Sequence, residues 1–264
     1  MSQSKDTGIR ERLFRIPVGV WTAHVLSVVV LLVWAGAAAL LPDYLLPGPL
    51  AVVWHAAELL TNPLFLLNGV YSIFHVCAAI AAAFIVGLLL ALLVHFVPAF
   101  RRAIGRLNSF LSSFSTIGWV FLSIFWFGFN DFTVIFVVAV TLLPFALSNL
   151  RAGLAELDHD MIELAKSFGR RRRRLVRLML VPLMIPYLFA TLRICLGVAW
   201  KVVLTAELFG GSSGLGNQIS RARDEFDIPA IFSIILIIVV IVYMTDKLAL
   251  EPAQMRLRRN YAIS

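Results

Sequence analysis

From Leu64 to Phe100 the sequence contains no Asp, Glu, Lys or Arg. An unbroken apolar run of that length has no place in a water-soluble domain, whereas a helix crossing a bilayer core needs about 20 such residues. The run is too long for one upright crossing, so a tilted span near Tyr71–Val97 is expected. Further candidates are Val20–Leu41, Asn108–Phe127, Phe132–Leu150, Pro186–Phe209 and Ile228–Lys247. Charged residues make up 14% of the chain, against about 25% in soluble domains. The expected fold class is an all-α membrane protein with six transmembrane helices. One transmembrane domain over residues 20–250 is expected, between a segment 1–19 and a tail 251–264. The apolar segment from Val18 is too long for a signal-peptide core and reads as a retained first span. Residues 44–63, with Pro and Gly at their start and Asn62-Pro63 at their end, suggest a short interfacial helix. Gly128-Phe129-Asn130-Asp131 suggests a tight reversal, and Pro144 a kink.

Cation placement gives the orientation. Of the 23 Lys and Arg residues, all but Arg193, Lys201, Arg221 and Arg223 fall on one side of this six-span topology. Cation-rich loops face the cytoplasm, which puts both termini and the polar stretch 151–181 there. The same distribution argues against nucleic acid as a partner of this +8 chain, because nearly every cation flanks an apolar segment. Arg170–Arg174 point all round a helix axis, and anchoring to anionic lipid suits them best. Cys77 and Cys195 are isolated in apolar segments and suggest neither disulfide nor metal site.

Within the polar stretch, Glu163, Ala165, Gly169 and Pro182 stand at offsets 0, +2, +6 and +19, with Met179-Leu180-Val181 before the proline. This spacing resembles the EAA loop of ABC-importer permeases, whose short cytoplasmic helices dock on a separate ATPase. Other segments are similar to the nitrate/sulfonate/taurine branch of that family: Leu45-Leu46-Pro47-Gly48-Pro49, Ile124-Phe125-Trp126-Phe127-Gly128, and Glu207 to Ile219. One departure stands out. The branch carries prolines early in the third span where this chain has Ser112-Ser113-Phe114-Ser115-Thr116. A straighter helix with inward-facing hydroxyls on Ser112, Ser113, Ser115 and Thr116 is the expectation there.

Arg193 and Lys201 fall within the fifth span. A central charge costs roughly 2.5–3.5 kcal/mol on insertion scales, so such residues face a partner, a wet path or the interface. They lie eight positions apart, about 12 Å along one face of a helix. Either they snorkel toward opposite interfaces or they line a path that favours an anion. Glu207 either caps a loop or meets a cation. Glycines Gly210, Gly211, Gly214 and Gly216 are not followed by the G-K-[ST] of a phosphate loop. A tight turn or reentrant segment is expected, with Ser212 and Ser213 bonding backbone groups. Asp158-His159-Asp160 reads as solvated surface; His75 and His95 read as packed or interfacial groups.

The resemblance implies a type I ABC-importer permease fold and no enzymatic activity. It implies a homodimer with two ATPase subunits and an extracytoplasmic solute-binding protein in a bacterial inner membrane. ATP would be bound by the ATPase, with no cofactor in this chain. The cargo would be a small, nitrate-, sulfonate- or taurine-like solute moved by alternating access. The main rival is an ATP-independent secondary transporter or channel using Arg193 and Lys201 for selectivity. A membrane-embedded enzyme is the other.

Overall fold

A computed structural model describes residues 18–42, 44–155 and 181–247. Nine α-helices occur among them: α1 (Val18–Leu40), α2 (Pro49–Leu59), α3 (Pro63–Phe96), α4 (Arg101–Ser113), α5 (Thr116–Phe127), α6 (Asp131–Ala155), α7 (Val181–Gly210), α8 (Leu215–Asp224) and α9 (Ile228–Thr245). No strand appears among the described residues. The helices α3, α6, α7 and α9 are each long and apolar enough to cross a bilayer. Proline at the first positions of α2, α3 and α9 suits sites where no intrahelical donor is needed.

Helix α6 is the centre of the bundle and packs against both α3 and α7. Val134, Val137, Val138, Leu142, Ala146, Leu147 and Leu150 on it are fully buried. In lipid, apolar burial alone does not drive helices together, and close backbone approach through small residues takes over. Here α3 contributes Ala79, Ala83, Gly87 and Ala91 at four-residue spacing, all buried. A Cβ on Gly87 would stand 3.1 Å from the Ala146 Cβ and 3.3 Å from the Leu147 nitrogen. The same principle operates lower down, where Gly153 of α6 lies directly against Tyr187 of α7.

The expected second span begins earlier than Tyr71: α3 is a single helix of 34 residues from Pro63. The expected third span is corrected more deeply. In place of one straight helix over Asn108–Phe127, α4 and α5 meet at a bend of 98°. Phe114 and Ser115 are both extended, with ψ near 135° and 138°. The Ser112 and Ser113 hydroxyls donate to the carbonyls of Asn108 and Ser109, at 2.9 Å each. Such back-bonding competes with the helical ladder and favours bending. The Phe114 ring then fills the corner, packing under Gly118 and 4.8 Å from the Trp119 ring centroid. With 12 residues, α5 extends about 18 Å, short of a full crossing by itself.

The reversal after α5 is as expected. Gly128 takes φ +76°, a conformation suited to glycine. The Asn130 side-chain oxygen accepts from the Thr133 amide at 2.9 Å, opening α6. At the other side, α2, α8 and α9 form a second apolar cluster around Ala56, Leu215, Ile234 and Ile238. Most α1 side chains from Val25 to Leu40 are exposed. This helix touches the rest through Trp34, which donates to the Pro47 carbonyl at 3.2 Å and stacks on Phe232.

Candidate functional site

Helix α8 begins at the glycine-rich segment and has no cap of its own. Gly214, its N-cap, offers no side chain and takes φ +101°. The amides that open a helix need acceptors, and here other helices supply three. The Asn68 side-chain oxygen accepts from the Gly214 amide at 2.9 Å, the Ser72 hydroxyl from the Leu215 amide at 2.8 Å, and Glu207 from the Gly216 amide at 2.9 Å. The negative carboxylate also suits the positive end of α8.

Glu207 is fully buried. Besides the Gly216 amide it accepts from the Ser72 hydroxyl at 2.8 Å, and it lies 2.9 Å from Nδ1 of His75, also fully buried. Read as a carboxylate it only accepts, which fixes a hydrogen on Nδ1. The other ring nitrogen, Nε2, lies 3.5 Å from the Asp131 carboxylate and makes no hydrogen bond. Asp131 in turn accepts from the Ser213 hydroxyl at 2.6 Å and the Ser212 hydroxyl at 3.2 Å. These serines were expected to serve backbone groups; they bond instead to the carboxylate that opens α6. The result is one polar clamp joining α3, α6, α7 and α8. Of the two roles open to Glu207, it fills the cap and also meets His75.

The glycines are there for close approach. A Cβ on Gly214 would fall on the Glu207 carboxyl group, and one on Gly216 would stand 2.6 Å from the Glu207 Cβ. The expected tight turn is therefore real, continued as a short helix and without any phosphate-loop character.

Farther along α7, the faces separate cleanly. Cys195, Ala199, Val203 and Ala206 point into the bundle, whereas Arg193, Gly197 and Lys201 are exposed at four-residue spacing. Gly197 has nothing within 4 Å of where a Cβ would stand. The two cations and the small residue between them therefore make one open stripe on a membrane helix. The hydroxyl set lies elsewhere, at the α4–α5 corner. Ser112, Ser113 and Ser115 are exposed there and Thr116 is half-buried. Glu163, Ala165 and Gly169 of the expected elbow lie outside the described residues, as do Asp158, His159, Asp160 and Arg170–Arg174. Pro182 falls in the first turn of α7.

Among the described residues the chain is all-helical, with several helices long and apolar enough to cross a bilayer, which defines a multi-pass membrane protein. Residues 83–249 match the model of the binding-protein-dependent transport system inner membrane component. The chain belongs to this family. It is 29% identical over 218 residues to a probable ABC transporter permease of Brucella melitensis, covering 80% of this chain and 86% of the relative. An aliphatic-sulfonate transport permease of Bacillus subtilis is 24% identical over 269 residues, covering 99% and 96% of the two chains. The taurine transport permease of Escherichia coli is 25% identical over 187 residues, covering 70% and 67%. These relatives place the chain among ABC-importer permeases of the nitrate/sulfonate/taurine branch. Such a subunit works in a multi-pass membrane assembly with an ATPase and a solute-binding protein.

Proposed function

We propose that this permease carries a small anionic solute, of the sulfonate class, into the cytoplasm by alternating access. The observation that carries the reading is Lys201, exposed on the membrane-crossing helix α7 on the same face as Gly197 and Arg193. A cation on such a helix needs water, an anion or a partner to offset its desolvation. Two copies facing each other would enclose the stripes in a shared path, and their positive field would favour anions. The sulfonate- and taurine-transporting relatives point the same way.

In this reading the chain is one membrane domain, used as a homodimer with two ATPase subunits and both termini cytoplasmic. It binds no cofactor; ATP stays on the ATPase. Glu163, Ala165, Gly169 and Pro182 form the elbow through which nucleotide-driven closure moves the bundle, by rocking of rigid helices. Ser112, Ser113 and Ser115, which are exposed, line the path at the α4–α5 corner with the half-buried Thr116.

The test is uptake by the full complex, reconstituted with its ATPase and binding protein. Lys201→Met should lower the rate for a sulfonate on the order of tenfold, a loss of one desolvated charge contact. Assembly and ATPase association should not change. Unaltered uptake kinetics would remove Lys201 from the path.

A further inference from the structure

At the end of the bundle opposite Glu207, a cavity of about 540 Å³ opens between the C-terminal turns of α3 and α6 and the start of α4. Its inner wall is apolar, with Ala91, Val94 and Leu154 all buried. Among the described residues its polar groups are Arg101 from α4, Arg151 and Ser148 from α6, and His95 from α3. Arg151 is half-buried, and neither it nor Arg101 has a hydrogen bond or ion pair with another described residue. Two guanidinium groups from separate helices therefore share one recess with no anion bonded to them among the described residues.

We propose that this recess is a phosphate-ester site, and that its occupant is the headgroup of an anionic phospholipid. Arginine presents a planar fork of donors that matches phosphate oxygens. Basic recesses between membrane helices on the cytoplasmic side suit anionic headgroups. The apolar wall decides between sources of phosphate. A free inorganic ion would leave the exposed apolar lining of Pro98, Ala152 and Ala155 against water, whereas the glycerol and first acyl carbons of a lipid would cover it. Ser148 adds a hydroxyl donor at the same mouth. Assigning this end to the cytoplasmic leaflet rests on the orientation proposed above, but binding at the recess requires no transport.

The experiment is native mass spectrometry of the full-length chain in detergent, titrated separately with phosphatidylglycerol, phosphatidylcholine and inorganic phosphate. Wild type should retain phosphatidylglycerol over phosphatidylcholine. Arg101→Gln with Arg151→Gln should weaken that retention on the order of tenfold or more, and the double lysine variant should keep part of it. Arg102→Gln with Arg106→Gln, which changes two exposed cations of α4 outside the recess, should leave it unaltered. Displacement of the lipid by inorganic phosphate would keep the phosphate site and reassign its source to a soluble anion. Equal loss in both glutamine pairs would reduce the effect to general surface charge and overturn the proposal. So would equal retention of the two lipids. Neither result bears on Lys201, so this proposal and the transport reading fail separately.

Discussion

Replacing Glu207 should separate a structural clamp from an incidental polar contact. Glu207→Ala strips the acceptor from three buried donors at once: the Ser72 hydroxyl, the Gly216 amide and Nδ1 of His75. The Ser72 hydroxyl can turn to a carbonyl of its own helix, but the amide and the imidazole cannot. Each stranded buried donor costs roughly 1–3 kcal/mol. For the amide and the imidazole together a loss of about 2–6 kcal/mol follows, a large share of the roughly 5–15 kcal/mol typical of folded proteins. Glu207→Gln behaves differently. Its amide oxygen can still accept from Ser72 and Gly216, and its NH₂ can donate to Nδ1 once the His75 hydrogen moves to Nε2. That hydrogen then faces the Asp131 carboxylate, now 3.5 Å away, so the loss should stay within about 1 kcal/mol. Equilibrium unfolding of the purified chain in mixed micelles measures both variants. Equal losses in the alanine and glutamine variants, or none in either, would refute the clamp as described.

Gly216→Ala should destabilise by about 1–3 kcal/mol, because its Cβ would stand 2.5 Å from the Leu204 carbonyl oxygen on rigid backbone; the same micelle unfolding checks it. Gly153→Ala should push α6 from α7, since its Cβ would lie 2.8 Å from the Tyr187 Cβ. Because these two helices flank the expected elbow, ATPase stimulation by loaded binding protein should fall on the order of tenfold, a 1.4 kcal/mol effect, while the complex still copurifies. A stimulated rate equal to wild type would dismiss the contact as a coupling element.

Much of this architecture was legible in the sequence because its cause is local. Apolar runs, prolines at helix starts and the Gly128–Asp131 reversal each act within a few residues. The α4–α5 corner was missed because it has no Pro or Gly at its centre. Its cause is cumulative: two serines bonding backward and a phenylalanine folded against Gly118. The clamp was missed for a different reason. Glu207 and His75 are 132 positions apart, and nothing in either segment names its partner helix. A signal was present, however. Ser72 and His75 share the face of α3 that carries Ala79, Ala83, Gly87 and Ala91, so polar groups in line with a small-residue ladder mark where a buried acid must lie. The α7 stripe was readable as spacing, but its outward direction required α6 on the opposite side.

The cross-helix capping of α8 has a mechanical consequence. Because the opening amides of α8 are held by Asn68, Ser72 and Glu207, the Gly211–Gly214 segment has no latitude to flap by itself. Any opening at that end must come from movement of whole helices, with the short helix riding along as cargo.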